Sequence, residues 1–407
     1  MRYDIVFKMP SGSQDFFKPV MKTFLAPFAS TTNPNPTFPP QMFNGPQLVS
    51  LYNVPNVPVS AGRKQVKIAV IVAYTYNGLL ADLKTYWQNQ INFGPNSTPP
   101  TVNVYTMPGA TYNTGWAQEE CLDVQMVCTI NPNASIWVVE AKSDSITDLT
   151  AAVNYANQTL KADVVTMSWG MDDAIGFSAY NNYFTNTNTC YCAASGDANN
   201  VSWPSVLSNC MSIGGTSLLW TPKSANNRTE FSWTSAGCGY ATSVSKPTYQ
   251  NAVPSIVGNY RAIPDVSLIA NQNTGVYSVF RGSWYSFGGT SVSTPIFAAV
   301  LSIANQTRFN QGKTGLTTVY TTTPNTATSN NYIPPSNNVQ QYLYKTIFPN
   351  KNKYQQNFND IIIGSDAGSV AGNSAILTNY NSGVGYDLPT GLGSPNCSNL
   401  CNDLLNI

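Results

Sequence analysis

The chain has no histidine in its 407 residues. That removes the general base of most serine hydrolases and the commonest protein metal ligand. Charge is also scarce: Lys and Arg total 20, Asp and Glu total 19, and charged residues make up only 10% of the chain, against roughly a quarter in an average domain. Phosphate binding needs clustered Lys and Arg, and no basic block occurs, so nucleic acid is not expected as a partner. No apolar run approaches the ~18 residues of a membrane span. The opening stretch "MRYDIVFKMPSGSQDFF" has no continuous apolar core, so no signal peptide is visible. No C-x-x-C pair is present, so the eight cysteines do not read as metal ligands. Cys190 and Cys192 alternate along an expected strand and point to opposite faces. Cys397 and Cys401 are candidates for disulfides with distant partners, and buried free thiols are the equal alternative.

What the chain does contain is regular. Residues 1–45 are rich in Pro, Thr and Asn and read as an extended arm. Beyond them apolar strand-length runs alternate with helical patterns. Strands are expected at 67–75, 101–107, 134–141, 163–170, 190–196 and 210–218, and helices at 78–90, 115–130 and 146–160. This alternation predicts βαβ units, and hence an α/β fold with a mainly parallel central sheet covered by helices on both faces. Residues 46–407 read as one domain, with a polar loop insertion near 321–358. Functional residues of such a sheet gather beyond the carboxyl ends of its strands.

The tetrapeptide GGTS occurs twice, at 214–217 and 288–291. The first continues into an extended stretch. The second is followed by small residues, Pro295 and the helical run "IFAAVLSIANQ", so Ser291 stands at the start of a helix. Backbone N–H groups and the helix dipole there favour a nucleophile and a developing oxyanion. Proline is tolerated within a first helical turn. The G-T-S-small-small-P pattern resembles the subtilisin-like clan, but a subtilisin proper needs the histidine this chain lacks. A carboxylate can serve as base instead. In "EECLD", Glu119 and Asp123 are four apart and share one helix face, where two like charges push one pKa upward. Glu120 faces elsewhere. Asp197, in "SGD" after an expected strand, could in its protonated form donate a hydrogen bond to an oxyanion. Taken singly, each has a blander reading: a serine N-cap, a solvated helix face and a turn residue.

Glu119, Asp123, Asp197 and Ser291, in this order, resemble the sedolisin family, the serine-carboxyl peptidases of subtilisin-like fold. The similarity runs from about Phe38 to the C-terminus through "GPQLVSLYNVP", "EECLDVQ", "SWG", "SGD", "WPSVLSNCMSIGGTSL", "IPDVSLIAN" and "GGTSVSTP". "EECLDVQMV" followed by "NASIWVVEA" is particularly similar to the tripeptidyl-peptidase branch. The resemblance implies Ser291 as nucleophile, Glu119 as general base, Asp123 as its orienting partner, and Asp197 with the Ser291 N–H as the oxyanion hole. It implies Ser168, Trp169 and Gly170 as a substrate-lining strand. Peptide or protein substrates, activity at acid pH and an extracellular or acidic compartment follow from it. "NDIIIG" and "NSGVGYDLPTGLGSP" resemble the family's calcium segment, here 359–395. They imply one Ca²⁺ held by Asp360 and Asp387 with carbonyls of Ile361, Gly383 and Gly385.

Two departures stand out. Where the family usually has glycine two residues after the aspartate, this chain has Asn199. Family members are made with a large N-terminal prodomain, whereas about 40 residues precede the domain here. The resemblance therefore implies either a removed prodomain, of which 1–45 is a remnant, or restraint by a separate inhibitor. The rival classes are an inactive structural or binding protein that keeps the fold, and an acyl hydrolase with other substrates.

Overall fold

The computed structural model describes residues 18–19, 22–25, 42–173, 175–220, 228–321 and 335–407. Most of the N-terminal arm and the tip of the expected insertion lie outside that set.

The apolar runs form the strands of one central sheet. In spatial order it contains Arg228–Ser232, Cys210–Trp220, Cys190–Ala194, Val164–Met167, Lys67–Ala73, Ser135–Ala141 and Val102–Thr106, and Val266–Ile269 also pairs with Cys210–Trp220. Every pairing is parallel except that of Arg228–Ser232. Lys67–Ala73 is buried at all but its first residue, as a strand covered on both faces requires. Helices pack on this sheet, giving the expected α/β class with a mainly parallel central sheet.

The order of strands places the site. From the central strand Lys67–Ala73 the sheet grows in one direction through Ser135–Ala141 and in the other through Val164–Met167. The crevice at that reversal, beyond the carboxyl ends, is where ligands bind in open α/β sheets.

Local structure departs from expectation in three places. The strand expected over 163–170 is two strands: Val164–Met167 stays in the central sheet, while Trp169–Asp172 joins a small antiparallel sheet with Ser202–Trp203. Ser168 is the break between them. The helix over 146–160 ends as a π-turn at Ala156–Leu160, closed by Lys161 at φ 52°. Within the expected insertion, residues 339–357 are helical: Val339–Tyr342, a π-turn over Leu343–Ile347, and Lys351–Asn357. Asn338 and Asn350 cap the two α-helices, and Val339, Leu343 and Ile347 bury one face at a spacing of four. All eight cysteines, Cys397 and Cys401 included, are free and buried.

Two short strands of the arm are described. Lys18–Pro19 pairs antiparallel with Trp169–Asp172, with Lys18 opposite Gly170 and Pro19 opposite Trp169. Lys22–Leu25 pairs antiparallel with Ser283–Gly288, with Lys22 opposite Gly288.

Candidate active site

The two GGTS segments differ as their surroundings suggest. Gly214 and Gly215 lie within the strand Cys210–Trp220, where added Cβ atoms would press on Ser267 and Pro264 and on Ala270 and Trp233. Gly288 ends the strand Ser283–Gly288, and a Cβ there would collide with the Gln272 backbone. Gly289 has φ 110°, a conformation that side chains avoid. This turn launches the helix Thr290–Asn310, which is buried along almost its whole length. Pro295 falls in the second turn rather than the first. It therefore supplies no N–H to the carbonyl four residues back, that of Ser291.

The N-terminus of this helix is capped from elsewhere in the chain. Gly289 offers no side chain. Instead Asp197 Oδ1 accepts the backbone N–H of Thr290 at 2.8 Å and its hydroxyl at 2.9 Å. Asp197 thus sits at the positive end of the helix that begins with Thr290 and Ser291.

The second helix, Thr114–Ile130, is opened by Asn113, whose side chain accepts the Trp116 N–H at 3.2 Å. It packs against the Ser291 helix. Glu119, Asp123 and Ser291 all have zero exposure. Ser168 ties them together: its hydroxyl donates to Asp123 Oδ1 at 2.7 Å, and its carbonyl accepts from Ser291 Oγ at 3.3 Å. Burial raises the Glu119 carboxyl well above its ordinary range, and repulsion from Asp123 raises it further, while the neighbouring Ser291 hydroxyl pulls it back. Asp123 is raised by burial and pulled back by its bonds with Ser168 and Glu119. Two buried carboxyls one helical turn apart avoid a double charge by sharing a proton.

Of the three residues read as a substrate-lining strand, Ser168 and Trp169 are both buried, while Gly170 is half-buried and pairs with Lys18. The Trp169 ring is buried and its Nε1 donates to the Ile71 carbonyl at 2.9 Å. Only the backbone of Trp169 is left for lining a cleft. Two further residues were not indicated by sequence. Glu120, buried on the other side of the helix, faces Glu140, and burial followed by repulsion from Glu140 raises its carboxyl. Glu140 accepts the Tyr76 N–H at 3.0 Å and bonds the Thr106 hydroxyl. The only sequence signal was an isolated Glu inside the apolar strand "SIWVVEA".

The C-terminal segment brings Asp360 next to the loop 383–387. Gly385 N–H donates to both Asp360 oxygens, at 3.1 and 2.9 Å, and Gly383 N–H donates to Asp387 Oδ2 at 2.9 Å. Asp387 Oδ1 accepts from the Thr390 N–H and hydroxyl. Burial, with Asp360 adding repulsion, raises Asp387 to about 7. Among the described residues no group of three or more His, Cys, Asp or Glu is gathered as a metal cage. The donors available at 360–361 and 383–387 are two carboxylates and backbone carbonyls. That set fits a hard cation, which would also relieve the repulsion between Asp360 and Asp387.

This arrangement has counterparts among known proteins. Residues 109–360, more than half of the chain, match the model of the subtilase family, Peptidase_S8. Sedolisin of Pseudomonas sp. (strain 101) is 35% identical over 115 residues, covering 26% of this chain and 19% of that protein. Kumamolisin of Bacillus sp. (strain MN-32) is 27% identical over 334 residues, covering 74% of this chain and 53% of that protein. The chain thus spans about half the length of kumamolisin and much less of sedolisin. The solved structure of Pseudomonas sedolisin, a serine-carboxyl proteinase complexed with two molecules of pseudo-iodotyrostatin, superposes with a TM-score of 0.69. The match has 21% identity and covers 90% of this chain and 98% of that one.

Proposed function

This chain belongs to the subtilase family and within it to the sedolisins, and on that premise we propose that it hydrolyses peptide bonds at acid pH through an acyl-enzyme on Ser291. The observation that carries the reading is the buried grouping of Glu119, Asp123 and Ser291 in a chain without histidine.

In the proposed reaction Ser291 Oγ attacks the scissile carbonyl carbon while its proton passes to Glu119. The carbonyl π pair moves onto oxygen, where the Ser291 N–H and a protonated Asp197 stabilise it. Collapse of the tetrahedral species breaks the C–N bond, and the leaving amine takes the proton back from Glu119. Water then attacks the ester by the same route in reverse. Asp123 holds the shared proton during attack, so that Glu119 can accept another. Ser168 keeps Asp123 in place through the bond to Oδ1. Low pH favours the protonated Asp197 that this scheme needs.

The arm has a role in the same proposal. Lys18–Pro19 pairs with the strand that follows Ser168, and Lys22–Leu25 pairs with the strand that ends at Gly288, three residues before Ser291. A bound peptide would use these edges in the way of a substrate strand. We read the arm as a propeptide-like cover. One Ca²⁺ on Asp360, Asp387 and the carbonyls of Ile361, Gly383 and Gly385 would pin the C-terminal loops, with no part in the bond-breaking steps. Substrates are peptides or proteins in an extracellular or acidic setting. No helix of the described residues is long and apolar enough to cross a membrane.

The test is hydrolysis of a denatured protein substrate between about pH 3 and 7 by the wild type and by Ser291→Ala. The wild type should cleave fastest at the acid end, and the variant should be inactive. Full activity in Ser291→Ala would overturn the mechanism, and an inactive wild type would return the fold to the class of binding proteins.

A further inference from the structure

The loop that carries Asp197 leaves the strand Cys190–Ala194 and passes through Asn199, the residue that stands where glycine was expected. Asn199 has φ 67°. Asparagine tolerates this left-handed conformation better than most residues, yet glycine would adopt it with no strain at all. The side chain here is put to use. Asn199 Nδ2 donates to the Thr234 carbonyl at 2.8 Å and to Asp366 Oδ1 at 2.8 Å. Asp366 lies on the strand Ser365–Val370, the first half of a C-terminal hairpin, and is 2% exposed.

We propose that Asp366 is a positioning residue for Asp197, acting through the side chain of Asn199. This rests on the peptidase reading above, which gives Asp197 its place in the oxyanion hole.

Several contacts show how the loop is held. Val201 N–H donates to Ser369 Oγ at 3.1 Å, so the same hairpin strand grips the loop at 199 and again at 201. Gly237 N–H donates to the Gly196 carbonyl at 2.7 Å, and a Cβ on Gly237 would collide with the Ser195 carbonyl. The loop is therefore pressed against the turn 233–237 on one side and tied to the hairpin on the other. Asp197 falls between these anchors and reaches across to Thr290. Its location relative to Ser291 is thus set from two directions: the helix it caps and the hairpin behind it. Burial holds the Asp366 carboxyl up to about 8, so at acid pH it is neutral and asparagine is its close isostere.

The test compares Asn199→Gly, Asp366→Ala, Asp366→Asn and the double variant Asn199→Gly/Asp366→Ala with the wild type in steady-state peptide hydrolysis. Asn199→Gly is the cleanest, because glycine accepts the positive φ and only the amide strut is lost. A misplaced oxyanion donor weakens an interaction made in the transition state, so the loss should appear in kcat with KM changed by less than about twofold. We expect kcat to fall about tenfold in Asn199→Gly and in Asp366→Ala. The double variant should fall no further than Asn199→Gly, because Asp366 acts only through the Asn199 side chain. Asp366→Asn, which keeps an acceptor for Asn199, should stay within about twofold of the wild type. Should Asp366→Ala fail to fold, Asn199→Gly and Asp366→Asn still decide. Wild-type kcat in Asn199→Gly, or a loss in Asp366→Asn as large as in Asp366→Ala, overturns the proposal alone. An inactive wild type overturns the peptidase reading and this proposal with it.

Discussion

Ser168 donates its hydroxyl to Asp123 Oδ1 at 2.7 Å at the point where an expected strand breaks in two. The bond favours the ionised form of Asp123. In Ser168→Ala that support is gone and the Asp123 carboxyl moves up, so the Glu119–Asp123 pair gives up its first proton at higher pH. The acidic limb of the kcat/KM profile should shift upward by up to about one pH unit, the equivalent of one hydrogen bond. An unshifted limb would show that Ser168 contributes only its backbone.

Stability should fall as pH rises. Glu119, Glu120, Asp123 and Asp366 are all raised by burial, Asp366 to about 8. In the unfolded chain such groups ionise near pH 4. Above that value the native state holds more protons than the unfolded one, so stability declines as pH climbs, until the native groups themselves ionise. Melting temperature should therefore be several degrees higher near pH 5 than near pH 8, and the slope should be shallower in Asp366→Asn. A melting temperature that rises across this interval contradicts the assignment.

The turn before Ser291 tolerates no side chain. Gly288→Ala drives a Cβ into the Gln272 backbone, and Gly289→Ala forces φ 110° on alanine. Each should cost about 1–3 kcal/mol in denaturant unfolding and lower hydrolysis as well. Gly282→Ala, at φ 70° with open space around it, should lose stability but not activity.

Calcium on Asp360 and Asp387 predicts a chelator effect. EDTA should lower the melting temperature and added Ca²⁺ should restore it, by mass action on the folded state. Asp387→Asn should abolish the response to Ca²⁺. A melting temperature indifferent to both reagents would remove the ion from the proposal.

If the arm covers the cleft, removing residues 1–25 should raise the initial rate on a short peptide severalfold, chiefly through KM. Unchanged kinetics would mean that the paired strands at Lys18–Pro19 and Lys22–Leu25 leave the site open.

Much of this fold was legible because its signals are local. Buried parallel strands read as unbroken apolar runs, and "KIAVIVA" became the central strand at almost the expected limits. The second GGTS was separable from the first by the small residues and helical run on its C-terminal side. The grouping of Glu119, Asp123 and Ser291 could be anticipated from residue type, spacing and family resemblance. What stayed hidden depends on contacts between distant segments. Nothing near Ser168 announces that its side chain meets Asp123, and nothing near Glu120 points to Glu140. The helices over 339–357 were obscured by their polar neighbours, although Val339, Leu343 and Ile347 carry a regular apolar spacing.

The cap on the Ser291 helix joins residues 93 positions apart. Thr290 finds its acceptor only when the loop after Cys190–Ala194 has docked beside a helix made much later in the chain. A nascent or partly folded molecule therefore holds the serine and the aspartate as unconnected pieces. On the proposed mechanism, the nucleophile and its oxyanion donor come together only when folding is complete.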